Sequence, residues 1–187
     1  MLNRTLAAAF DAALPYEDYL TASPAHADAW RAVSEQVTIT PEHLTLLQRF
    51  AREMRILVIS GAWCGDCVRQ GPALAAIGAA CPRIDVRFID RDHPASPIDQ
   101  FNINEGARVP VAIFMAEDGA LVSHLGDKTL SYYRWAAAQQ LGPACPLPGA
   151  PIPVDVVASV TQDWMNECER VQLLLRLSPR LRARHDD

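Results

Sequence analysis

Lysine is almost missing from this chain: Lys128 is the only one among 17 basic residues. Schiff-base chemistry would therefore have to rest on that single side chain. No G-x-x-x-x-G-K and no G-x-G-x-x-G occurs, so the sequence carries neither phosphate-cradling loop. No apolar run approaches the ~20 residues that span a bilayer. The net charge of −5 gives no reason to expect binding to nucleic acid. The opening Met1-Leu2-Asn3-Arg4 leads into an alanine-rich stretch broken by Asp11, Pro15, Glu17 and Asp18, which is no secretory core with a cleavage site. Five cysteines, an odd number without framework spacing, fit a reducing compartment, and a cytoplasmic location is expected. At 187 residues, 50% of them hydrophobic and 21% charged, the chain has the size and balance of one domain with extensions.

What the chain does have is Trp63-Cys64-Gly65-Asp66-Cys67, directly after the apolar run Ile56-Leu57-Val58-Ile59. Cysteines three apart at a helix start lie about 5–6 Å from each other, within reach of a disulfide. The helix start also sets Cys64 among unpaired backbone N–H groups at the positive end of the macrodipole, which favours its thiolate. The pair then comprises a nucleophilic sulfur and a second sulfur to resolve the intermediate. Two blander readings stand beside this redox centre. As a structural staple, the four-residue ring contributes roughly 3 kcal/mol less than a hundred-residue loop would. As half of a zinc site it lacks a second half, because Cys81, Cys145 and Cys168 are scattered and no H-x-x-x-H pair occurs. Redox chemistry is the leading reading, ahead of zinc or idle core thiols.

Around this motif the sequence divides into four parts. Residues 1–53 read as helices: Leu2, Leu6, Ala9, Phe10 and Ala13 recur at helical spacing up to Pro15, Ala29, Trp30, Val33 and Val37 form a second pattern, and Thr40-Pro41 opens a third as N-cap and first helical residue. Residues 54–141 change character. Ile56–Ile59 has the composition of a buried parallel strand, 68–80 reads as a helix that Pro72 is expected to kink, and Ile84, Val86, Phe88 and Ile89 form a second strand. Val111–Phe114, a turn at Glu117-Asp118-Gly119 and Leu121–His124 predict an antiparallel hairpin, and 129–141 a closing helix. Residues 142–153, rich in proline, predict a stiff linker that leaves Cys145 exposed and open to mixed disulfides. In 154–187, Val157, Val160, Trp164, Cys168, Val171 and Leu175 mark an amphipathic helix. Its end carries Arg176, Arg180, Arg182 and Arg184, read as a solvated helix end or a basic docking surface. Cys81 and Cys168 read as small apolar core residues. His93 and His124 have no partner that the sequence identifies.

With its W-C-x-x-C after a buried strand, its β-α-β then β-β-α order, and Val109-Pro110 just before the hairpin, the segment 54–141 resembles the thioredoxin superfamily. The helical leader makes the chain similar to a bacterial thioredoxin-like family with a W-C-x-D-C motif. The resemblance implies an α/β fold: a mixed sheet with helices on both faces, here with an N-terminal helical extension and a C-terminal helix. It implies that Pro110 is cis and faces the cysteine pair, that the backbone at Val109 pairs with an extended substrate, and that Gly126 keeps the substrate groove open. The chain departs from the family twice. Val58 stands where thioredoxin has a buried acid that moves protons for the second cysteine, so water or another group must serve here. Asp66 replaces the usual proline, and its charge disfavours a nearby thiolate, with Arg108 acting the other way.

The function expected is thiol–disulfide oxidoreduction by Cys64 and Cys67, with Trp63 shielding the pair and the chain more a reductant than an oxidant. No metal or organic cofactor is required. The expected partners are protein or small-molecule disulfides and an upstream reductant, with neither nucleic acid nor membrane. The alternative is a non-catalytic module whose terminal helices bind a partner. Trp30, Leu47 and Phe50 at one end and Trp164, Val171 and Leu175 at the other carry too much apolar surface to leave in water. They are expected to pack on the core or, through the last helix, in a homodimer.

Overall fold

A strand sealed on both faces organises the molecule. In the computed structural model, which describes residues 2–141 and 151–187, strand β1 (Met54–Ser60) lies inside a four-stranded sheet of order β2-β1-β3-β4. Successive side chains of a strand point to opposite faces, yet Ile56, Leu57, Val58 and Ile59 are all 0% exposed, so helices cover both sides. Strand β2 (Ile84–Asp90) pairs with β1 in parallel, with Met54 opposite Ile84 and Ser60 opposite Asp90. Strand β3 (Val111–Ala116) runs antiparallel to β1, and β4 (Leu121–Gly126) runs antiparallel to β3. The sheet is thus mixed and the fold α/β, as the resemblance implies.

Ahead of the sheet lie helices α1 (Leu2–Ala12), α2 (Tyr16–Thr21), α3 (Pro24–Ser34) and α4 (Pro41–Leu47). Thr40 caps α4 as its sequence suggests: its hydroxyl accepts from the His43 N–H while the His43 ring accepts from the Thr40 N–H. Phe50 lies beyond the end of that helix but is buried all the same. Two features escaped the pattern of hydrophobic residues. The short helix α2 fits between Pro15 and Pro24, too brief for a period to register. Leu14 also exchanges both backbone hydrogen bonds with Phe88, at 2.8 and 2.9 Å, and so covers part of the free edge of β2.

Helix α5 (Gly65–Ala80) connects β1 to β2 and runs unbroken through Pro72. Its packing against α3 depends on a missing side chain. A Cβ at Gly71 would lie 2.2 Å from Cζ3 of Trp30. The indole cannot retreat freely, because its Nε1 donates to the Ala62 carbonyl at 2.9 Å. Tyr16, Tyr19 and Phe88 surround the same ring, with Trp30 and Phe88 edge to face at 6.0 Å. The helical leader is therefore bolted to the loop that carries Trp63.

Helices α6 (Leu130–Gln140), α7 (Val156–Leu177) and α8 (Pro179–His185) complete the described residues. The predicted linker lies mostly outside them, as does Cys145. Along α7, Val160, Trp164, Met165, Cys168, Val171 and Leu175 are buried, in keeping with their three- and four-residue spacing. Polar ties fix the helix as well. The Gln172 amide accepts from the Arg52 N–H at 2.8 Å and donates to the Arg52 carbonyl at 3.1 Å. Asp163 accepts from the Ser131 N–H at 2.7 Å, at the start of α6.

The arginine-rich end is solvated, as one of the two sequence readings has it, and it is ion-paired as well. It is a separate helix that turns at Ser178-Pro179, where proline cannot continue the hydrogen-bond ladder of α7. Arg180 pairs with Asp118, Arg184 with Glu117 at 3.1 Å, and Arg176 with Asp187 at 3.1 Å. The tail thus folds back onto the acidic β3–β4 turn, where Arg180 and Arg184 are ion-paired while about half of each side chain stays in solvent. Among the described residues, no helix is long and apolar enough to cross a membrane.

Gly71→Ala is expected to lower the melting temperature. Overpacking of this kind costs about 1–3 kcal/mol, and each kcal/mol moves the midpoint by roughly 2–4 °C in a chain of this length. A calorimetric scan superposing on that of the wild type would contradict the claim that Trp30 locks α3 to α5.

Candidate functional site

Buried β1 ends at Ser60, and the chain turns through Gly61-Ala62-Trp63 before α5 begins. A Cβ on Gly61 would approach the Trp63 ring to 2.8 Å, so glycine lets the indole fold over this turn. Cys64 is the N-cap of α5: its carbonyl accepts the first helical bond from the Val68 N–H at 3.0 Å, while its own backbone is extended. Its side chain is half-buried. One turn on, Cys67 is fully buried, and the Gly61 N–H points at its sulfur at 3.5 Å. Both thiols are free.

The two sulfurs differ sharply in acidity. Cys64 is held down at about 6, chiefly by the Cys67 thiol acting as hydrogen-bond donor. Burial opposes this, the backbone N–H groups of Cys67 and Asp66 support it, and the Asp66 charge opposes it again. Cys67 moves the other way: burial pushes its thiol far up, and donation to Cys64 adds to the shift. One sulfur is ionised at neutral pH and reachable; the other is protonated and sealed.

The remaining predicted residues gather at this pair to different degrees. The Val109–Pro110 peptide is cis, and the Val109 carbonyl lies 3.7 Å from Cys64 Sγ, where it accepts a hydrogen bond from the protonated thiol only. Gly126 sits across from Val111 in the β3–β4 ladder. A Cβ there would strike the Pro110 carbonyl at 2.6 Å, so Gly126 is required for the close approach of Pro110. Trp63 is 50% exposed, with the Arg91 guanidinium 4.9 Å above its ring. Arg91 also donates to the Ala107 carbonyl at 3.4 Å, linking Trp63 to the loop before Pro110.

Asp66 is not the free charge its position suggests. Its carboxylate accepts from Lys128 Nζ at 2.5 Å and from the Tyr132 hydroxyl at 2.7 Å. Burial works against the Lys128 ammonium, but its bonds to Asp66 and Asp127 prevail and hold it above the ordinary lysine value. Burial, helped by the bond to Asp66, pushes Tyr132 up to about 12. The one lysine is thereby committed to ion pairs, which accounts for its place here without Schiff-base chemistry. Arg108 pairs with buried Asp127 at 3.6 Å, so its charge is balanced locally. Asp127 also receives bonds from Lys128 and Tyr133, and Gln70 donates to its carbonyl at 2.9 Å. Asp66, Arg108, Lys128 and Tyr133 line a cavity of about 250 Å³ that continues along helix α6 to Leu141.

Arg91, Lys128, Tyr132 and Asp127 did not emerge from the sequence as site residues. Their only local signal is proximity to Gly126 or to the end of β2. Cys81 and Cys168 are buried away from solvent, in line with their apolar reading. His124 packs edge to face with Phe101 at 5.2 Å, and the His93 ring accepts from the Ala95 N–H at 3.1 Å. Among the described residues, no group of three or more His, Cys, Asp or Glu is arranged to hold a metal ion.

The alkylation of Cys64 by iodoacetamide should follow its thiolate, rising through about pH 6. Asp66→Asn removes a charge that opposes the thiolate and releases a lysine that favours it, so both changes lower the thiol pKa. The half-maximal rate is expected at lower pH than in the wild type; a shift to higher pH would reverse the sign assigned to Asp66.

Comparison with known proteins adds the following. The family model described as Thioredoxin matches residues 13–135, starting inside the helical leader. No curated protein matches the chain. Among solved structures, a protein of unknown function from Pseudomonas aeruginosa is similar with a TM-score of 0.56 and 17% identity, covering 90% of this chain and 95% of that one. An HIV epitope-scaffold is similar with a TM-score of 0.55 and 18% identity, covering 92% of this chain and 98% of that one. At these identities the likeness is one of fold.

Proposed function

This chain belongs to the thioredoxin family, and on that premise we propose that it is a thiol–disulfide oxidoreductase. The observation that carries the reading is the inequality of its two sulfurs: Cys64 partly exposed and held at about 6, Cys67 buried and protonated one turn below. The Cys64 thiolate attacks a disulfide sulfur of the substrate. A bond forms to that sulfur, and the other substrate sulfur leaves with the electron pair and takes a proton. Cys67 then attacks Cys64, loses its proton, and expels the second substrate sulfur as a thiol. The substrate is reduced by two electrons and the Cys64–Cys67 pair is oxidised. An upstream dithiol or thiol reductant restores the pair.

Trp63 shields the cysteines, and the backbone at Val109-Pro110 aligns an extended disulfide-bearing segment. Substrates are protein disulfides or small-molecule disulfides. A low thiol pKa stabilises the reduced state and makes a couple more oxidising. The lowered pKa of Cys64, about 6, falls between the ~7 of thioredoxin and the ~3.5 of a strong oxidant, so the couple is read as somewhat more oxidising than thioredoxin and still a reductant.

Turbidimetric reduction of insulin with dithiothreitol tests this reading. The wild type is expected to speed precipitation well above dithiothreitol alone, and Cys64→Ser to bring the rate back to that background. Equal rates for wild type and Cys64→Ser would contradict the reading and leave the fold as an interaction scaffold.

A further inference from the structure

The second step asks a fully buried thiol to give up its proton, in a protein where Val58 fills the position of the expected buried acid and is itself 0% exposed. Two residues further along β1, Ser60 is also 0% exposed. It precedes Gly61, whose N–H points at Cys67 Sγ at 3.5 Å. The Ser60 hydroxyl has no hydrogen-bond partner among the described residues. Neither has the hydroxyl of Tyr19, which reaches in from α2 and is 3% exposed. Ser60 nevertheless interacts with both Cys67 and Tyr19.

Two orphaned hydroxyls side by side are costly. A buried hydroxyl without a partner forfeits its hydration, while alanine or phenylalanine of the same shape would not. Both stand at the one place where a negative sulfur must form in the interior. Other charges facing this spot give no help: Asp90, opposite Ser60 in the β1–β2 pairing, and the Cys64 thiolate are both negative.

Resting on the exchange reading above, we propose that Ser60 and Tyr19 form a donor chain for the Cys67 thiolate. Ser60 donates to the nascent sulfur anion and Tyr19 donates to Ser60, replacing the absent acid by hydrogen-bond donation. Ser60 acts on a reacting atom; Tyr19 is a positioning residue that acts through it. The balance of the step is unchanged. The Cys64–substrate S–S bond breaks, the Cys64–Cys67 bond forms, and the leaving sulfur takes the electron pair and ends protonated with the proton that Cys67 lost. The hydroxyls lend protons to hydrogen bonds and keep them.

Stopped-flow reaction of the reduced full-length protein with dithionitrobenzoate separates the two steps. The first coloured thiolate reports attack by Cys64 and the second reports resolution by Cys67. A Cys145→Ser background keeps that thiol out of the signal. Tyr19→Phe and Ser60→Ala are expected to leave the first phase unchanged and to slow the second, by about tenfold or more for Ser60→Ala, the size of a hydrogen bond to a charged group. The pH profile of the second phase should move to higher pH in both variants. Melting temperatures should stay level or rise, since each substitution removes an unpartnered polar atom. A second phase with unaltered rate and pH profile in both variants would overturn the donor chain. Loss of the first phase in the wild-type background would overturn the exchange reading itself.

Discussion

The site depends on where helix α5 begins. Because β1 is buried on both faces, the chain can leave the sheet only at its end, and the turn Gly61-Ala62-Trp63 delivers Cys64 to the N-cap. That single placement gives Cys64 the helical N–H groups and partial exposure, and it sends Cys67 inward. The start of the helix is held from behind by α3, through Trp30 against Gly71 and its bond to the Ala62 carbonyl. The helical leader is in this sense part of the frame of the cysteine pair, and the family match begins within it.

Electrostatics around the pair are arranged by neutralisation. A carboxylate between two cysteines opposes a thiolate, and Asp66 does so here. Lys128 and Tyr132 absorb much of that charge through direct bonds. Asp127 holds Lys128 from the other side and takes Arg108 as well. Asp66, Lys128, Asp127 and Arg108 thus form a chain of alternating sign, while the Cys67 thiol, with the helix N–H groups, lowers the pKa of Cys64.

Much of this fold was legible because the signals are local. The apolar run of β1, the hairpin turn at Glu117-Asp118-Gly119, the Thr40-Pro41 cap and the spacing from Val160 to Leu175 each lie within one element, and each describes the structure well. The cysteine pair and Pro110 were legible through their order relative to those elements. What stayed hidden lies in contacts between distant segments. Lys128 and Asp66 are 62 residues apart, and Trp30 and Ala62 are 32 apart. The pairing of Arg180 and Arg184 with Asp118 and Glu117 depends on a helix break at Pro179 and on the tail reaching the β3–β4 turn. No period or motif encodes such meetings.

The central claim, that Cys64 and Cys67 act together as a reversible couple biased toward reduction, is tested most directly by its midpoint potential. Equilibrating the protein in glutathione buffers and quantifying the fraction oxidised by mass and alkylation yields that number. A single two-electron transition confined to these two cysteines, with a midpoint of roughly −270 to −180 mV, is the result expected. A midpoint near −120 mV, the range of a strong oxidant, or no Cys64–Cys67 disulfide at any poise, would contradict it.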